Sequence, residues 1–218
     1  MKENIKQILL HGFRATGKST LAKLVAEKLG WEFIEMDDEI AKEAGMPIDE
    51  ITKGGREWDL FRQIEQTVLS KLGDREEIVV STGGGLGVND VLHKETGRTF
   101  GEENRDVIKG IKNALNILLD ADNEVISERI RNSEMRKNIT ARPVLDENRA
   151  EELMELIEKY ASNPQKIKEI TVNSIVEDAQ KIFAKRKPLY EELADEKIDT
   201  GKFSIKETVN QILKILDK

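Results

Sequence analysis

The stretch HGFRATGKST, residues 11–20, contains the first side chains that could do chemistry. From Gly12 to Ser19 it follows the pattern G-x-x-x-x-G-K-[ST]. In this pattern, backbone N–H groups at the start of a helix wrap a phosphate chain, the lysine reaches the β- and γ-phosphates, and the Ser or Thr hydroxyl binds Mg²⁺. The stretch therefore predicts that a nucleotide binds here, with Lys18 on its phosphates and Ser19 on the metal ion.

Two carboxylates, Glu35 and Asp37, stand at the end of a second apolar segment, in FIEMDDEI. In doubly wound sheets, ligands gather at the carboxyl ends of the strands, which would bring both side chains beside the nucleotide. Glu35 could then hold Mg²⁺ through water, and Asp37 could orient or deprotonate an attacking hydroxyl. Taken alone, such acids are better explained as charges at a helix N-terminus, which is our interpretation of Asp38 and Glu39.

A run of three glycines, Gly83 to Gly85, follows the next apolar segment in STGGG. Such a run indicates backbone that approaches a ligand closely. Arg62, in FRQIE, lies opposite the apolar face of a predicted helix, and Arg142 and Arg186 each stand shortly before a proline, in ARPVL and KRKPLY. By itself a helical arginine is a solvated charge, so these residues gain meaning from their order along the chain.

The elements that must position these residues follow from the apolar pattern. Five short apolar segments alternate with amphipathic stretches, which predicts βαβ units and an α/β fold with a parallel sheet. The predicted strands are 5–10, 32–36, 78–81, 115–119 and the weaker 197–199, and helical spacing predicts helices over 19–29, 57–72 and 205–216. We interpret His11, at the end of the first strand, as a packed, hydrogen-bonded core residue and not as a catalytic base.

Two further segments read as additions to this core. Residues 86–99 are polar and contain glycine, directly after the glycine run. Residues 146–185 predict two or three charged helices with a break at Asn163 and Pro164. Neither segment has the composition of a disordered linker.

Composition excludes several classes of function. A chain of 218 residues is long enough for one well-buried α/β core. Its net charge of −7 argues against nucleic-acid binding, because such proteins usually carry a basic face. The absence of cysteine excludes disulfides, zinc–thiolate sites and a thiol nucleophile. No apolar run approaches the length of a membrane span, so we expect a cytoplasmic protein that binds neither membrane nor nucleic acid.

Taken in order, these motifs resemble those of shikimate kinase. The resemblance rests on the glycine loop, F-I-x-x-D-x-E-I with A-G-M-x-I, F-R-x-x-E, T-G-G-G, R-P-x-L, and R-x-P-L-Y-E-E-x-A-D with I-D-T. It implies a P-loop kinase fold of the nucleoside-monophosphate-kinase type, α/β with a five-stranded parallel sheet, flanking helices and an enlarged helical lid. Residues 1–218 are then one domain, with a substrate-binding segment at about 37–65, a loop insertion at about 86–99 and a lid region at about 133–185.

The resemblance also implies a role for each matching residue. Asp37 contacts the ring hydroxyls of shikimate and helps to activate the one that attacks, Arg142 closes over ATP, and Arg129 lies near the adenine. The residues implied to bind ATP are Gly12, Ala15, Thr16, Gly17, Lys18, Ser19, Thr20, Arg129 and Arg142. The residues implied to bind shikimate are Asp37, Arg62, Gly83, Gly84, Gly85 and Arg186, with the two arginines on its carboxylate. The implied catalytic residues are Lys18, Asp37 and Arg142, and the implied metal ligands are Ser19 and Glu35.

The implied reaction is the ATP- and Mg²⁺-dependent phosphorylation of the 3-hydroxyl of shikimate, by a monomer, in the biosynthesis of chorismate and aromatic amino acids. One alternative is a gluconate-type kinase, which would share the loop and the lid but not the acceptor pocket. Another is a kinase-like binding protein that has lost turnover. The F-R-x-x-E and R-x-P-L-Y motifs favour shikimate over gluconate, and every charged position that the chemistry requires is occupied.

The chain departs from the family pattern at four places. Ala15 stands where a further glycine is usual, and Arg14 where an apolar residue or proline is usual. If position 15 requires a positive φ, alanine costs about 1 kcal/mol there. Glu35 replaces an aspartate. The two added segments lengthen the loop after Gly85 and roughly double the distance in sequence between Arg142 and Arg186, which bears on lid closure more than on the chemistry.

Overall fold

Five parallel strands form the sheet at the centre of the fold. The structure is a computed structural model, and it describes residues 5–54, 57–136, 155 and 158–216. The strands are β1 (Gln7–His11), β2 (Glu32–Glu35), β3 (Ile78–Ser81), β4 (Ala114–Asp120) and β5 (Glu196–Asp199), in the order β2-β3-β1-β4-β5. Every pair of neighbours in this sheet is parallel, as the alternating pattern of the sequence predicts.

Burial separates the inner strands from the edge strands. Every residue of β1, β3 and β4 is buried, whereas β2 and β5 are buried only in part. Strands that are covered on both faces read as continuous apolar runs, which explains why the three inner strands were predictable from the sequence and β5 gave only a weak signal.

Helices cover both faces of the sheet. In the described residues they are α1 (Lys18–Leu29), α2 (Met36–Ala44), α3 (Ile48–Ile51), α4 (Asp59–Leu72), α5 (Phe100–Gly110), α6 (Asn123–Arg136), α7 (Pro164–Leu193) and α8 (Ile205–Leu216). Leu9 of β1 packs in one apolar cluster with residues of α2, α4 and α5. Ile8 and Leu10, which point to the other face, pack with residues of α1 and α8.

The segment 86–99, which follows the glycine run, is tied to the body of the fold. Leu86 and Val88 are buried in the core, so the polar and exposed part of this segment begins after them. His93 stacks on Phe100 with ring centroids 4.5 Å apart, and its Nδ1 lies 2.8 Å from Glu103 Oε2. Burial alone would raise the pKa of Glu103, but hydrogen bonds from Thr96, Gln66 and His93 outweigh it and lower the pKa to about 2.

The chain forms two compact units. The first contains Met1–Ala121 and Arg186–Lys218, with the whole sheet, and the second contains Asp122–Lys185. Inside the second unit, Gln180 Nε2 donates to Ser127 Oγ at 2.9 Å and so joins α7 to α6. Among the described residues, no helix is both long and apolar enough to span a bilayer.

Helix α7 begins at the predicted break and extends beyond the segment 146–185 that was predicted to be helical. It begins at Pro164, where Asn163 Oδ1 accepts a hydrogen bond from the Lys166 N–H at 3.1 Å. It continues past Lys185 to Leu193 and includes Pro188. Because proline usually ends a helix, the helical conformation of the R-x-P-L-Y motif was not predictable from the sequence.

Candidate active site

Three groups of predicted site residues lie at the carboxyl ends of three neighbouring strands. The loop 12–17 leaves β1, Glu35 ends β2, and the glycine run follows β3. The sheet order places β3 between β1 and β2. Since parallel strands point the same way, these loops meet at one edge of the sheet, where ligands bind in this class of fold.

The loop between β1 and α1 is a tight turn that requires glycine at its start. Gly12 has a φ of 142°, and a Cβ atom there would lie 2.3 Å from the Leu119 carbonyl oxygen. Thr16 Oγ1 donates to the Phe13 carbonyl at 2.8 Å. Lys18 Nζ donates to the carbonyls of Gly12 and Phe13 at 3.0 and 2.9 Å. The loop leads directly into the first turn of α1, which carries three of the predicted phosphate- and metal-binding residues, Lys18, Ser19 and Thr20.

Ala15 adopts the left-handed conformation for which the usual glycine is suited. Its φ is 65°. An L-residue with a Cβ atom is strained in this region by about 1 kcal/mol. Arg14, the other unusual residue of the loop, is half-buried, and its backbone nitrogen would lie 3.7 Å from a Cβ atom at Gly84. The phosphate loop and the glycine run therefore lie side by side.

The charge of Lys18 is balanced by two carboxylates. Burial lowers the pKa of Lys18 to about 8, and Glu35 and Asp37 counteract part of that effect. A pKa of about 8 leaves the ammonium group charged at neutral pH. Asp37 is exposed to solvent, but the protein around it removes part of the water from its carboxylate, which raises its pKa. The charges of Lys18 and Arg62 lower the pKa in turn.

Three oxygen-bearing side chains meet between the ends of β2 and β3. Ser19 Oγ lies 3.2 Å from Ser81 Oγ, and Glu35 hydrogen-bonds to both hydroxyls. Burial raises the pKa of Glu35, and the two serine hydroxyls lower it. Mg²⁺ prefers oxygen ligands and keeps several waters, so this set fits a magnesium ion that is also bound by phosphates. Over the described ranges, no group of three or more His, Cys, Asp or Glu side chains could hold a metal ion alone.

Arg62 forms a buried ion pair on α4. Its Nη1 donates to both carboxylate oxygens of Glu65, at 2.9 and 2.8 Å. Its guanidinium group lies over the rings of Trp58 and Phe61, 5.3 and 4.9 Å from their centroids. Burial raises the pKa of Glu65, and the Arg62 charge lowers it. In the described part of the chain, Arg62 Nε has no hydrogen-bond partner although it is buried, so one donor of this guanidinium is available to a ligand.

The glycine run lies against the charged residues of the site. A Cβ atom at Gly83 would lie 3.3 Å from Glu65 Oε1 and 3.5 Å from Asp37 Oδ1. A Cβ atom at Gly85 would lie 2.6 Å from Arg62 Nη2, closer than real Cβ contacts allow. Position 85 therefore requires glycine for space, because a side chain there would displace the guanidinium group, whereas a Cβ atom at Gly84 would make only ordinary contacts.

The last turns of α7 bring Arg186 to the same place. Arg186 is half-buried, and its Nη1 donates to the Gly84 carbonyl over a long 3.4 Å. Tyr190, one turn further on, also donates its hydroxyl to the Gly84 carbonyl. The structure thus brings Asp37, Arg62, the glycine run and Arg186 together, around the phosphate loop.

His11 is a buried member of β1. Its Nε2 lies 3.1 Å from Asn116 Oδ1, and burial lowers its pKa to about 4. The Asn116 amide nitrogen donates to Asp195 Oδ2 at 3.2 Å, so its oxygen faces the histidine and the Nε2 atom carries the proton. These contacts confirm the interpretation of His11 as a packed, hydrogen-bonded residue.

The contacts described above include neither Arg129 nor Arg142, two of the predicted site residues. Arg129 is half-buried on α6, in the second compact unit. Arg142 lies outside the described residues. Their predicted roles at the nucleotide remain predictions.

Three residues of the site were missed from the sequence as functional residues: Glu65, Ser81 and Tyr190. Each stands inside a motif whose other members had been singled out, in FRQIE, STGGG and KRKPLY. Their contacts are made with residues that are near in space, so the motifs alone gave them no role.

Comparisons with known proteins agree with this geometry. The family model described as shikimate kinase matches residues 14–185. The chain is 37% identical over 155 residues to a shikimate kinase of Persephonella marina, and the aligned region covers 71% of this chain and 81% of the relative. It is 33% identical over 212 residues to a shikimate kinase of Thermodesulfovibrio yellowstonii, which covers 96% and 94%.

Solved structures of the same family share the fold. The crystal structure of shikimate kinase from Aquifex aeolicus matches with a TM-score of 0.62 and 26% identity, covering 97% of this chain and 96% of the other. Shikimate kinase from Acinetobacter baumannii in complex with shikimate matches with a TM-score of 0.64 and 25% identity, covering 98% and 94%. The chain belongs to the shikimate kinase family.

Proposed function

We propose that this protein transfers the γ-phosphoryl group of ATP to the 3-hydroxyl of shikimate, a step in the biosynthesis of chorismate and aromatic amino acids. The observation that carries the proposal is the buried Arg62 guanidinium. It is packed against Gly85, retains an unpaired Nε donor, and lies at the same edge of the sheet as the phosphate loop. A buried cation with a free donor fits an acceptor that carries a carboxylate.

The nucleotide is bound by the phosphate loop and the N-terminus of α1. The N–H groups of Ala15, Thr16 and Gly17 lie before the first turn of α1, where the helix dipole favours phosphate. Lys18 neutralises the charge of the terminal phosphates. Ser19 and Glu35 would hold Mg²⁺, which supplies further charge neutralisation when it is bound.

The acceptor is bound by its carboxylate. Arg62 and Arg186 approach the glycine run from α4 and α7, and paired guanidinium groups suit a carboxylate. Glu65 holds Arg62 in place and balances its charge, which leaves the remaining donors to the substrate. A neutral sugar of similar size offers no carboxylate to these donors and would leave the buried Arg62 Nε unpaired, so it is bound less well.

Asp37 faces the reacting hydroxyl. Asp37 lies against Gly83, and the positive charges of both Lys18 and Arg62 act on its carboxylate. From there its carboxylate accepts the hydrogen bond of the attacking hydroxyl and receives its proton as the bond to phosphorus forms. In-line positioning and charge neutralisation supply the rest of the rate, so little covalent chemistry is required of the protein.

The proposal also assigns a role to two residues of the second unit. Arg142 stabilises the charge on the transferring phosphoryl group, and Arg129 contacts the adenine, as the family pattern implies. We further propose that the lid region at about 133–185 excludes water during transfer and that the protein acts as a monomer in the cytoplasm.

A coupled assay of ADP release tests the proposal. We expect turnover that requires both shikimate and Mg²⁺, and we expect Lys18→Ala and Asp37→Ala to reduce kcat/KM at least about a thousandfold, because each removes a group that acts only at the reacting centre. Lys23→Ala, on the exposed face of α1, is the matched control and should retain full activity. Preferential turnover of gluconate, or nucleotide binding without turnover of any acceptor, would overturn the proposal.

A further inference from the structure

The three carbonyl groups of the glycine run are held in two different ways. The Gly83 carbonyl accepts a hydrogen bond from the Leu86 N–H at 3.2 Å. The Gly85 carbonyl accepts from the N–H groups of Val88 and Asn89 at 3.1 and 3.0 Å. These three bonds come from the turn that follows, whose Asn89 side chain also donates to the Gly85 carbonyl at 3.1 Å. The Gly84 carbonyl is held by two side chains of α7 instead.

Of these two side chains, Tyr190 makes the closer contact. Its hydroxyl donates to the Gly84 oxygen, and the second donor, Arg186 Nη1, is 3.4 Å away. Tyr190 is 3% exposed, so water does not compete for the carbonyl at this position. Burial raises the pKa of Tyr190 to about 12, and the hydroxyl therefore keeps its proton and remains a donor across the physiological range.

The Gly84 carbonyl fixes the direction of the next N–H group. The peptide between Gly84 and Gly85 is trans, so its N–H points away from its carbonyl oxygen. With the oxygen turned toward Tyr190, the Gly85 N–H points in the opposite direction within the peptide plane. The α-carbon of Gly85 packs on the Arg62 guanidinium, and among the described residues nothing accepts the Gly85 N–H.

We propose that Tyr190 is a positioning residue of the acceptor site, whose hydroxyl sets the plane of the Gly84–Gly85 peptide so that the Gly85 N–H and Arg62 address the same carboxylate. The inference deepens the proposed function and rests on it. Glycine has the widest choice of backbone conformations, so a peptide between two glycines needs an external contact to select one orientation. Arg186 alone, at its longer distance, would hold the carbonyl weakly.

Tyr190→Phe tests the inference, because it removes the hydroxyl and keeps the buried ring. We expect the KM for shikimate to rise about tenfold, the amount that corresponds to one lost hydrogen bond, while kcat falls less than about threefold and the KM for ATP stays unchanged. A role in stability alone would not separate the two substrates in this way. Calorimetric titration of the variant with shikimate at low temperature measures the same loss if the variant is too unstable for kinetics.

Thr208→Val is the matched control. Thr208 is also buried, and its hydroxyl also donates to a backbone carbonyl, that of Ser204 at 3.0 Å, but it lies on α8. We expect it to lower the thermal midpoint by as much as Tyr190→Phe without changing the KM for shikimate. An unchanged KM in Tyr190→Phe, or an equal rise in Thr208→Val, overturns the inference. Absence of shikimate-dependent turnover in the wild-type protein would overturn the proposed function instead, so the two failures are distinct.

Discussion

Two glycine-rich loops lie side by side at the edge of the sheet, and different parts of the chain hold them in shape. The loop after β1 is fixed by its own residues, since Thr16 and Lys18 donate to the carbonyls of Gly12 and Phe13. The run after β3 depends on α4 and α7. Its central carbonyl, on Gly84, is bound by a residue that is 106 positions away in sequence.

The difference corresponds to the two tasks of the site. Every nucleoside triphosphate presents the same phosphate chain, so a locally determined loop with one lysine is sufficient to bind it. An acceptor must be distinguished from similar small molecules, which requires charged groups placed with respect to one another. Here that placement comes from a buried ion pair and two helices, so changes in distant residues should affect the acceptor side and spare the nucleotide side.

The largest expected effect comes from breaking the buried ion pair of the acceptor side. Glu65→Gln keeps the shape of the side chain but leaves the Arg62 charge uncompensated among buried groups. We expect the free energy of unfolding to fall by about 3 kcal/mol, measured by urea denaturation. Shikimate should restore part of the lost stability, because its carboxylate would supply the missing negative charge.

The surface pair between Lys71 and Glu43 provides the control. Glu43→Gln removes the same charge from a pair in which Lys71 is 61% exposed. Exposed ion pairs contribute little, so we expect a change of less than about 0.5 kcal/mol. If both variants lose the same stability, the acceptor side is not held by its buried pair, and the contrast between the loops is wrong at that point.

A smaller effect is expected from crowding the glycine run itself. In Gly85→Ala the new methyl group would lie 2.6 Å from Arg62 Nη2, so the guanidinium must move. We expect the KM for shikimate to rise about thirtyfold, the equivalent of about 2 kcal/mol, with the KM for ATP changed less than twofold. Steady-state kinetics with each substrate varied in turn measures both values.

Gly110→Ala, at the end of α5, is the matched substitution, since nothing lies within 4 Å of the added methyl group. It should leave both KM values unchanged. A parallel rise in the KM for ATP in Gly85→Ala would mean that the two loops move together and would remove the distinction between them.

The same contrast explains what the sequence could predict. The phosphate loop is a contiguous motif that follows a buried strand, so its position and the helix after it were predictable. The same motif names Ser19 as the expected metal ligand. The three inner strands were predictable because burial on both faces makes them continuously apolar. The residues of the acceptor side could be named only through the family resemblance. Their role depends on how α4, α7 and β3 pack together, which local sequence does not reveal.

The residues that sequence reasoning missed have roles that depend on burial or on distant partners. Glu65 is only three positions from Arg62, but the pair matters because both side chains are buried. Tyr190 has a role because α7 continues through Pro188 to reach the glycine run. A proline inside a helix opposes the usual local preference, and packing of the last turns against the core overrides it. Leu193, at the end of this helix, is 4% exposed and belongs to the main apolar cluster.

The smallest expected effect concerns the strain within the phosphate loop. Ala15 has a φ of 65°, where glycine is relaxed and alanine is strained by about 1 kcal/mol. Ala15→Gly should remove the strain, but it also adds about 0.4–1 kcal/mol of conformational freedom to the unfolded chain. We therefore expect a net stabilisation of less than about 0.5 kcal/mol, measured as a rise in the urea midpoint, with both KM values changed less than twofold.

Ala26→Gly on α1 is the matched control, because it introduces the same change where φ is helical and the side chain is 2% exposed. Without strain to relieve, it should destabilise the protein by about 1 kcal/mol. Opposite signs for the same substitution would show that the backbone of the loop determines the effect. If Ala15→Gly destabilises as much as Ala26→Gly, the loop does not hold residue 15 in a left-handed conformation, and local contacts are not sufficient to fix its shape.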